Sequence, residues 1–318
     1  MGDGEEPLVS IVVPTYNRHD RLKRAIESVA DQTYQPIEVL VVDDCSDVPV
    51  EDHLNDDYDR TFARFEILRH DENRGGSAAR NTGMEAASGE YIALLDDDDR
   101  WRPPKIERQV EGFREADVGV VVTGSKVVDE HGNAIFTYEP EMVSGTSPLT
   151  KQLLCRNVVG SCSAVMVDSD VLDAVGTFDE RFPSWQDLEW YIRLSRHTKF
   201  GAVCEPLLVY SRGANERVSD DLDTIKDETY PLFLEKFRPV AAEYGPVFER
   251  KMRAWAAYRV GHSLVLAGRV GEGRRLLTKA VRLYPFESAF YKHYLPALGG
   301  TPTYETARKM KRTFDRIQ

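Results

Sequence analysis

Four consecutive carboxylates, Asp96, Asp97, Asp98 and Asp99, follow the apolar run Tyr91 to Leu95 in the stretch ALLDDDDRW. Like charges about 4 Å apart repel by ~1 kcal/mol in water and ~4 kcal/mol at the effective dielectric of a protein surface, so something cationic must offset them. Tandem carboxylates suit a hard divalent ion, which takes one or two of them and completes its shell with waters and substrate phosphates. The competing use is helix capping by Asp97 or Asp99, ahead of a helix expected from Pro103. Capping accounts for one or two aspartates but not for the whole set.

Other groups able to do chemistry recur in similar settings. PTYNR (Pro14, Thr15, Tyr16, Arg18) follows one apolar run and DDCSD (Asp43, Asp44) another. Each reads either as a ligand-contacting loop or as an ordinary turn, the second of Asx type. NRGGSAARNTG offers backbone N–H groups at a helix start, with Arg74, Arg80 and Asn81 beside them, a place for diphosphate oxygens. Its Gly and Ala equally suit tight packing of a helix on a sheet. In SWQDLEWYIRLSR, Leu188, Tyr191, Ile192 and Ser195 form one helical face. That leaves Asp187 in the first turn, where it can point into a cleft or simply complement the helix dipole.

The elements that must position these groups alternate. Leu8 to Val13, Ile37 to Val42, Phe65 to Leu68 and Tyr91 to Leu95 read as strands, with helices expected over Asp20 to Asp31 and from Gly75 to Gly89. Strands apolar throughout and separated by helices predict a parallel sheet covered on both faces. In such sheets ligands bind at the carboxyl ends of strands, where PTYNR, DDCSD and DDDD fall. A helix to about Ala116, a strand VGVVVTG and a hairpin turn DEHGN leading into Ala134 to Tyr138 are expected next. Beyond Asp220 the pattern is helical, and Trp255, Tyr258, Leu264, Gly268, Ala280 and Pro285 loosely match one tetratricopeptide-type helix pair. One such pair cannot bury its own face, so it is expected to pack on the body or on a partner.

A chain of 318 residues with 42% hydrophobic content supports a substantial core. No run approaches the ~18 apolar residues of a membrane span, and the acidic start MGDGEEP is unlike a secretory signal, so a cytoplasmic location is expected. Four cysteines without a CxxC pair or histidines at ligand spacing indicate neither a disulfide framework nor a zinc site, and are read as buried apolar fillers. The net charge of -12 is uneven: Gly245 to Gln318 carries 15 Lys and Arg against 5 Asp and Glu. That basic region suits an anionic surface, and with no nucleic-acid motif, lipid or self-docking is the expectation. Arg308, Lys309, Lys311 and Arg312, with Met310 and Phe314, lie on an expected amphipathic helix that would touch the cytoplasmic face of an anionic membrane.

In their order, VSIVVPTYNR, VLVVDDCSD, NRGGSAARNTG, GEYIALLDDDDRW and WQDLEWYIRL resemble the family 2 glycosyltransferases of GT-A fold. The resemblance implies a Rossmann-like mixed, mostly parallel sheet with helices on both faces over residues 1–220. A smaller, basic, all-α region over 221–318 completes the expectation. It further implies an inverting transfer from a nucleotide-sugar donor, UDP in the first instance, to a glycan or polyprenyl-linked glycan acceptor. Pro14, Thr15, Tyr16 and Arg18 would surround the base, with Asp43 or Asp44 on its polar edge, since a carboxylate accepts from a uracil-like N–H. The family's DxD motif maps to Asp96, Asp97 and Asp98. Asp98 is then the leading ligand for Mg2+ or Mn2+, and Asp96 either shares the metal or binds ribose or sugar hydroxyls. In the family an acidic residue of an ED-type motif acts as general base, which implies Asp187 with Glu189 as runner-up. Gln186 stands where Glu is common. The competing functions are a non-catalytic nucleotide-sugar-binding scaffold, a polyprenyl-phosphate sugar synthase, or a nucleotidyltransferase. The last would place a Gly-rich loop with a Lys after the first strand, where this chain has PTYNR.

Overall fold

The structure is a computed structural model that describes residues 6–54, 58–129, 131–140, 148–211 and 221–305. It divides into two compact units: Met1–Thr150, Asn157–Glu180 and Gln186–Asn215 form the first, and Lys151–Arg156, Arg181–Trp185 and Glu216–Gln318 the second. The cationic helix expected around Arg308 to Arg312 lies outside the described residues.

The first unit is built on a sheet. Its parallel half pairs β1 (Val9–Thr15), β2 (Ile37–Asp43), β3 (Arg64–Arg69) and β4 (Tyr91–Leu94) in the order β3-β2-β1-β4. Every residue of β1, β2 and β4 is buried, which requires cover on both faces and explains why their sequences are apolar runs rather than alternating ones. The remaining strands are β5 (Arg100–Trp101), β6 (Val120–Val128), β7 (Ala134–Tyr138), β8 (Val165–Asp168) and β9 (Phe200–Ser211). The order continues β8-β6-β9-β5, with β7 on β6. β8 runs antiparallel to β4 and to β6, while β6 and β9 are parallel. The expected hairpin joins β6 to β7, with Asp129 accepting from the backbone of His131 at 2.9 Å and of Asn133 at 2.8 Å.

The helices of this unit are α1 (His19–Ala30), α2 (Gly76–Ala86), α3 (Lys105–Glu115), the first two residues of α4 (Leu149–Cys155), whose remainder belongs to the second unit, α5 (Ser169–Val175) and α6 (Gln186–His197). α1 turns Leu22, Ala25, Ile26 and Val29 inward. α2 lies so close to β1 that a Cβ on Gly83 would stand 2.3 Å from Val12 Cγ1, while Gly75, at φ +87°, makes the left-handed turn into the helix.

The second unit contains α7 (Leu222–Thr224), a π-turn over Ile225–Thr229, α8 (Tyr230–Ala242), α9 (Pro246–Leu266), α10 (Val270–Leu283) and α11 (Ser288–Leu298). α9 and α10 form the expected antiparallel pair, in close contact where a Cβ on Gly273 would meet the Gly261 carbonyl at 2.6 Å. The pair's apolar face is covered within its own unit: α8 packs on α9 and α11 on α10, and Val265, Val270, Leu277, Ala297 and Tyr304 share a core. Arg259 of α9 donates to the Cys155 carbonyl at 3.1 Å and lies 4.7 Å from the Trp185 ring, which also meets Phe233 edge-on.

Among the described residues no helix is long and apolar enough to cross a membrane. Cys155 and Cys162 are buried fillers as expected, but Cys45 is half-buried and Cys204 exposed, so the filler reading holds for two of the four.

Candidate active site

The acidic run sits where β4 stops, and the cations that offset it belong to the chain itself. Arg80, from α2, is ion-paired with Asp96. Arg18, just past β1, donates to Asp97 Oδ1 at 3.0 Å and lies 3.7 Å from Asp98, and Arg21 lies 3.6 Å from Asp98. The Thr15 hydroxyl donates to Asp97 Oδ2 at 2.8 Å, tying the end of β1 to the end of β4. Burial pushes Asp97 up to about 6, with Arg18 and Thr15 opposing the shift. Asp99 is also pushed well above the usual carboxylate range, by burial first and then by Asp96 and Asp98. Repulsion in the run is therefore relieved twice, by arginines and by the shift of two members toward their neutral forms. Neither Asp97 nor Asp99 caps α3, where the Ile106 N–H donates to Gln32 Oε1 at 3.1 Å; Asp99 accepts from the Ser211 backbone at 3.1 Å instead.

The loops after β1 and β2 are laced together. Asn17 and Asp47 exchange two hydrogen bonds, at 3.2 and 2.8 Å, and the Asn17 N–H donates to Ser46 Oγ at 2.9 Å. Tyr16 is exposed, whereas Pro14 and Thr15 are buried. Asp43 is fully buried and accepts from the Ser46 backbone at 2.9 Å and from Arg69. Asp44 is nearly as buried, accepting from the backbone N–H of Arg74 at 2.8 Å and of Gly75 at 2.7 Å, with His70 Nδ1 at 2.7 Å. Both carboxylates thus sit inside the loop framework rather than on an exposed edge, because turn and helix-entry N–H groups take up their oxygens.

Arg74 and Arg80 differ. The Arg74 side chain is 46% exposed, with Glu180 at 3.6 Å, whereas that of Arg80 is 11% exposed and also donates to the Gly76 carbonyl at 3.1 Å. Burial opposes the Arg80 charge, but Asp96, Cys162 and Asp187 more than offset it and hold the guanidinium above its ordinary pKa. Asn81 is a clasp: its amide donates to the Phe178 carbonyl at 3.0 Å and Glu180 at 2.9 Å, and accepts from the Phe178 N–H at 2.8 Å.

Asp187 occupies the first turn of α6, partly exposed, with Oδ2 accepting from Asn157 Nδ2 at 3.0 Å and Oδ1 from the Leu188 N–H at 2.7 Å. Glu189 is fully buried and both oxygens face Arg193, at 2.7 and 2.9 Å, whose guanidinium also binds the Val175 and Thr177 carbonyls at 2.5 Å. That geometry is a structural ion pair fastening α6 to the loop after α5. It corrects the runner-up base reading for Glu189. Asn157, Ser163 (accepting from the Asp96 N–H at 3.0 Å) and Arg21 were not singled out by sequence, since no local pattern marks them.

The sequence model of glycosyl transferase family 2 matches residues 10–176, over half of the chain and the span that holds the β1, β2 and β4 ends. The chain belongs to that family. Among relatives of this family 2 glycosyltransferase, TuaG of Bacillus subtilis, provisionally assigned to teichuronic acid biosynthesis, is 33% identical over 167 residues, 52% of this chain and 64% of TuaG. An uncharacterized glycosyltransferase of Rickettsia felis is 30% identical over 232 residues, 71% of this chain but 38% of that one. The chain thus spans less than two thirds of the length of these relatives. Of solved structures, S. aureus TarS 1-349 superposes with a TM-score of 0.63 at 17% identity, covering 96% of this chain and 91% of that one, and has been solved with UDP-GlcNAc. A mannosyltransferase of Pyrobaculum calidifontis, in complex with GDP-Man and Mn2+, gives 0.56 at 17% identity, covering 97% and 88%. These likenesses show the GT-A fold.

The donors at the end of β4 fit a hard divalent ion. They are carboxylate oxygens, and the side chains of Asp98 and Asp96 are 23% and 27% exposed, so water and phosphate can reach them. Among the described residues no group of three His, Cys, Asp or Glu converges on one point. One or two carboxylates is the number such an ion takes alongside a diphosphate.

Proposed function

We propose that this glycosyltransferase moves a sugar from a uridine-linked donor to a hydroxyl of a glycan or lipid-linked glycan, with inversion at the anomeric carbon. The observation that carries the reading is the company of Arg80: Asp96 is ion-paired to its guanidinium, and Asp187 is near enough to help raise its pKa. A carboxylate assigned to the donor side and one assigned as base thus both act on one buried cation, which supports a single site at the end of β4 and the start of α6.

In this reading Pro14, Thr15, Tyr16 and Arg18 line the nucleoside, and the exposed Tyr16 ring offers a face to the base. Asp43 and Asp44 hold the loop that presents them, and Arg74 reaches a diphosphate oxygen. Asp98, with Asp96, would hold Mg2+ or Mn2+, which when bound supplies Lewis-acid neutralisation of charge on the leaving diphosphate. Asp187, oriented by Asn157 and the Leu188 N–H, takes the acceptor proton as the acceptor oxygen bonds to the anomeric carbon. The bond from that carbon to the diphosphate breaks, and the nucleoside diphosphate departs. The ligands named for the TarS and Pyrobaculum structures support a nucleotide-sugar donor and a divalent ion.

The test is a binding panel of UDP- and GDP-sugars with Mn2+ present, followed by transfer assays. Saturable binding of a UDP-sugar that strengthens with Mn2+ is expected; preference for a GDP-sugar overturns the uridine assignment, and absence of all binding overturns the enzyme reading.

A further inference from the structure

We infer that the helical unit carries a docking surface for an anionic lipid bilayer, formed by the outer faces of α10 and α11 and the turn between them. This inference is independent of the donor and acceptor proposed above.

On α10, Gly273, Leu277 and Ala280 are buried. Arg275, Lys279 and Arg282, spaced by four and three residues, project from the opposite side, and all are exposed. Arg275 and Arg282 make no ion pair among the described residues, and Lys279 Nζ lies 5.3 Å from the Tyr230 ring. The nearby acids are already engaged: Glu272 by Arg269 at 2.8 Å and Lys226 at 3.3 Å, Glu287 by Lys251 at 3.7 Å. The stripe is thus a row of uncompensated cations.

Apolar side chains accompany it. In the turn after α10, Phe286 is 85% exposed. On α11, exposed Lys292 is followed by Leu295 and Leu298, 58% and 48% exposed. Arg274 of α10 donates to the Leu298 carbonyl at 3.4 Å, which brings the start of α10 beside the end of α11. Exposed cations on adjoining elements with an exposed aromatic and two exposed leucines match a headgroup layer over acyl chains: arginine and lysine pair with phosphates while the apolar tips enter the boundary. A soluble polyanion would satisfy the cations but leave Phe286, Leu295 and Leu298 in water. That decides between the two partners.

Full-length protein is sedimented with phosphatidylcholine vesicles, with and without phosphatidylglycerol, at low and high salt. Binding is expected with the anionic vesicles at low salt, weakening steeply as salt rises. Replacing Arg275→Gln, Lys279→Gln and Arg282→Gln together should lower partitioning roughly 100-fold. Phe286→Ser should lower it about tenfold. A wild-type chain that ignores anionic vesicles at low salt overturns the inference. So does a triple variant that binds like wild type, or equal binding to polyglutamate that is unaffected by Phe286→Ser. Should the triple variant fail to fold, Phe286→Trp in the otherwise intact chain decides: brominated lipid must quench its added emission, and no quenching beyond wild type rejects the surface.

Discussion

Arg80 reaches from α2 to pair with Asp96 at the end of β4, its guanidinium nearly buried while the carboxylate keeps contact with solvent. Removing the cation leaves Asp96 beside three further aspartates without its counter-charge. Arg80→Met is expected to weaken donor binding and to lower transfer on the order of 100-fold, read as separate KM and kcat effects. Unfolding should cost about 2 kcal/mol less, below the ~3–5 kcal/mol of a fully buried pair because Asp96 is part-exposed. Arg80→Lys should restore only part of the activity, since an ammonium cannot reproduce the planar fork.

Asp187 and Glu189, two residues apart on α6, should give opposite signatures. Asp187→Asn keeps the shape but has one acceptor oxygen where Asp187 uses two, so it gives up either the Asn157 or the Leu188 contact; stability should fall by about 1 kcal/mol in thermal melts and donor affinity should hold, while transfer to a hydroxyl falls on the order of 10²–10⁴-fold. With a lipid-phosphate acceptor, already ionised, the same variant should retain most of its rate. Glu189→Gln leaves Arg193 short of its buried partner and should lower stability by about 3 kcal/mol in denaturant melts, with kcat of the folded protein near wild type.

Much of the framework was legible because strand and helix periodicities are local. The apolar runs of β1, β2 and β4, each followed by a polar cluster, located the carboxyl ends of the sheet, and the five-segment resemblance pointed to Asp96, Asp98 and Asp187, which lie just past β4 and in the first turn of α6. What stayed hidden depends on long-range partners. Nothing near Glu189 announces that Arg193 and the carbonyls after α5 will enclose it, and nothing near Asp43 or Asp44 shows their oxygens claimed by Arg69, His70 and the entry to α2. Nor could spacing show that the offsetting cations would be Arg18, Arg21 and Arg80, brought in from the loop after β1, from α1 and from α2.

Lys105 offers a pH test away from the acidic run. It is wholly buried, donates to Gln109 at 2.6 Å and stands 3.9 Å from the centre of the Trp101 ring; burial holds its pKa well below the ordinary lysine value. The native state therefore binds fewer protons than the unfolded chain between that depressed value and about 10.4, so this lysine makes stability rise with pH through the window. Denaturation midpoints at about pH 7.5 and about pH 9.5 should show that rise in wild type and a flatter response in Lys105→Met.

The glycines of NRGGSAARNTG should separate by role. Gly83→Ala drives a methyl into Val12 and should destabilise by about 2 kcal/mol in thermal or urea melts. Gly76→Ala meets only the movable Arg80 guanidinium, at 3.1 Å, and should leave the fold intact.

The helical unit is not a cassette that scissors could lift out. Short pieces of chain lying far upstream, Lys151–Arg156 and Arg181–Trp185, are woven into it through Arg259, which grips Cys155 and Trp185 together. A stop codon after residue 215 would strand those pieces without their companions, Trp185 among them, one step from the helix that bears Asp187. A transplant of the helical unit would therefore have to carry Lys151–Arg156 and Arg181–Trp185 along with the residues after 215.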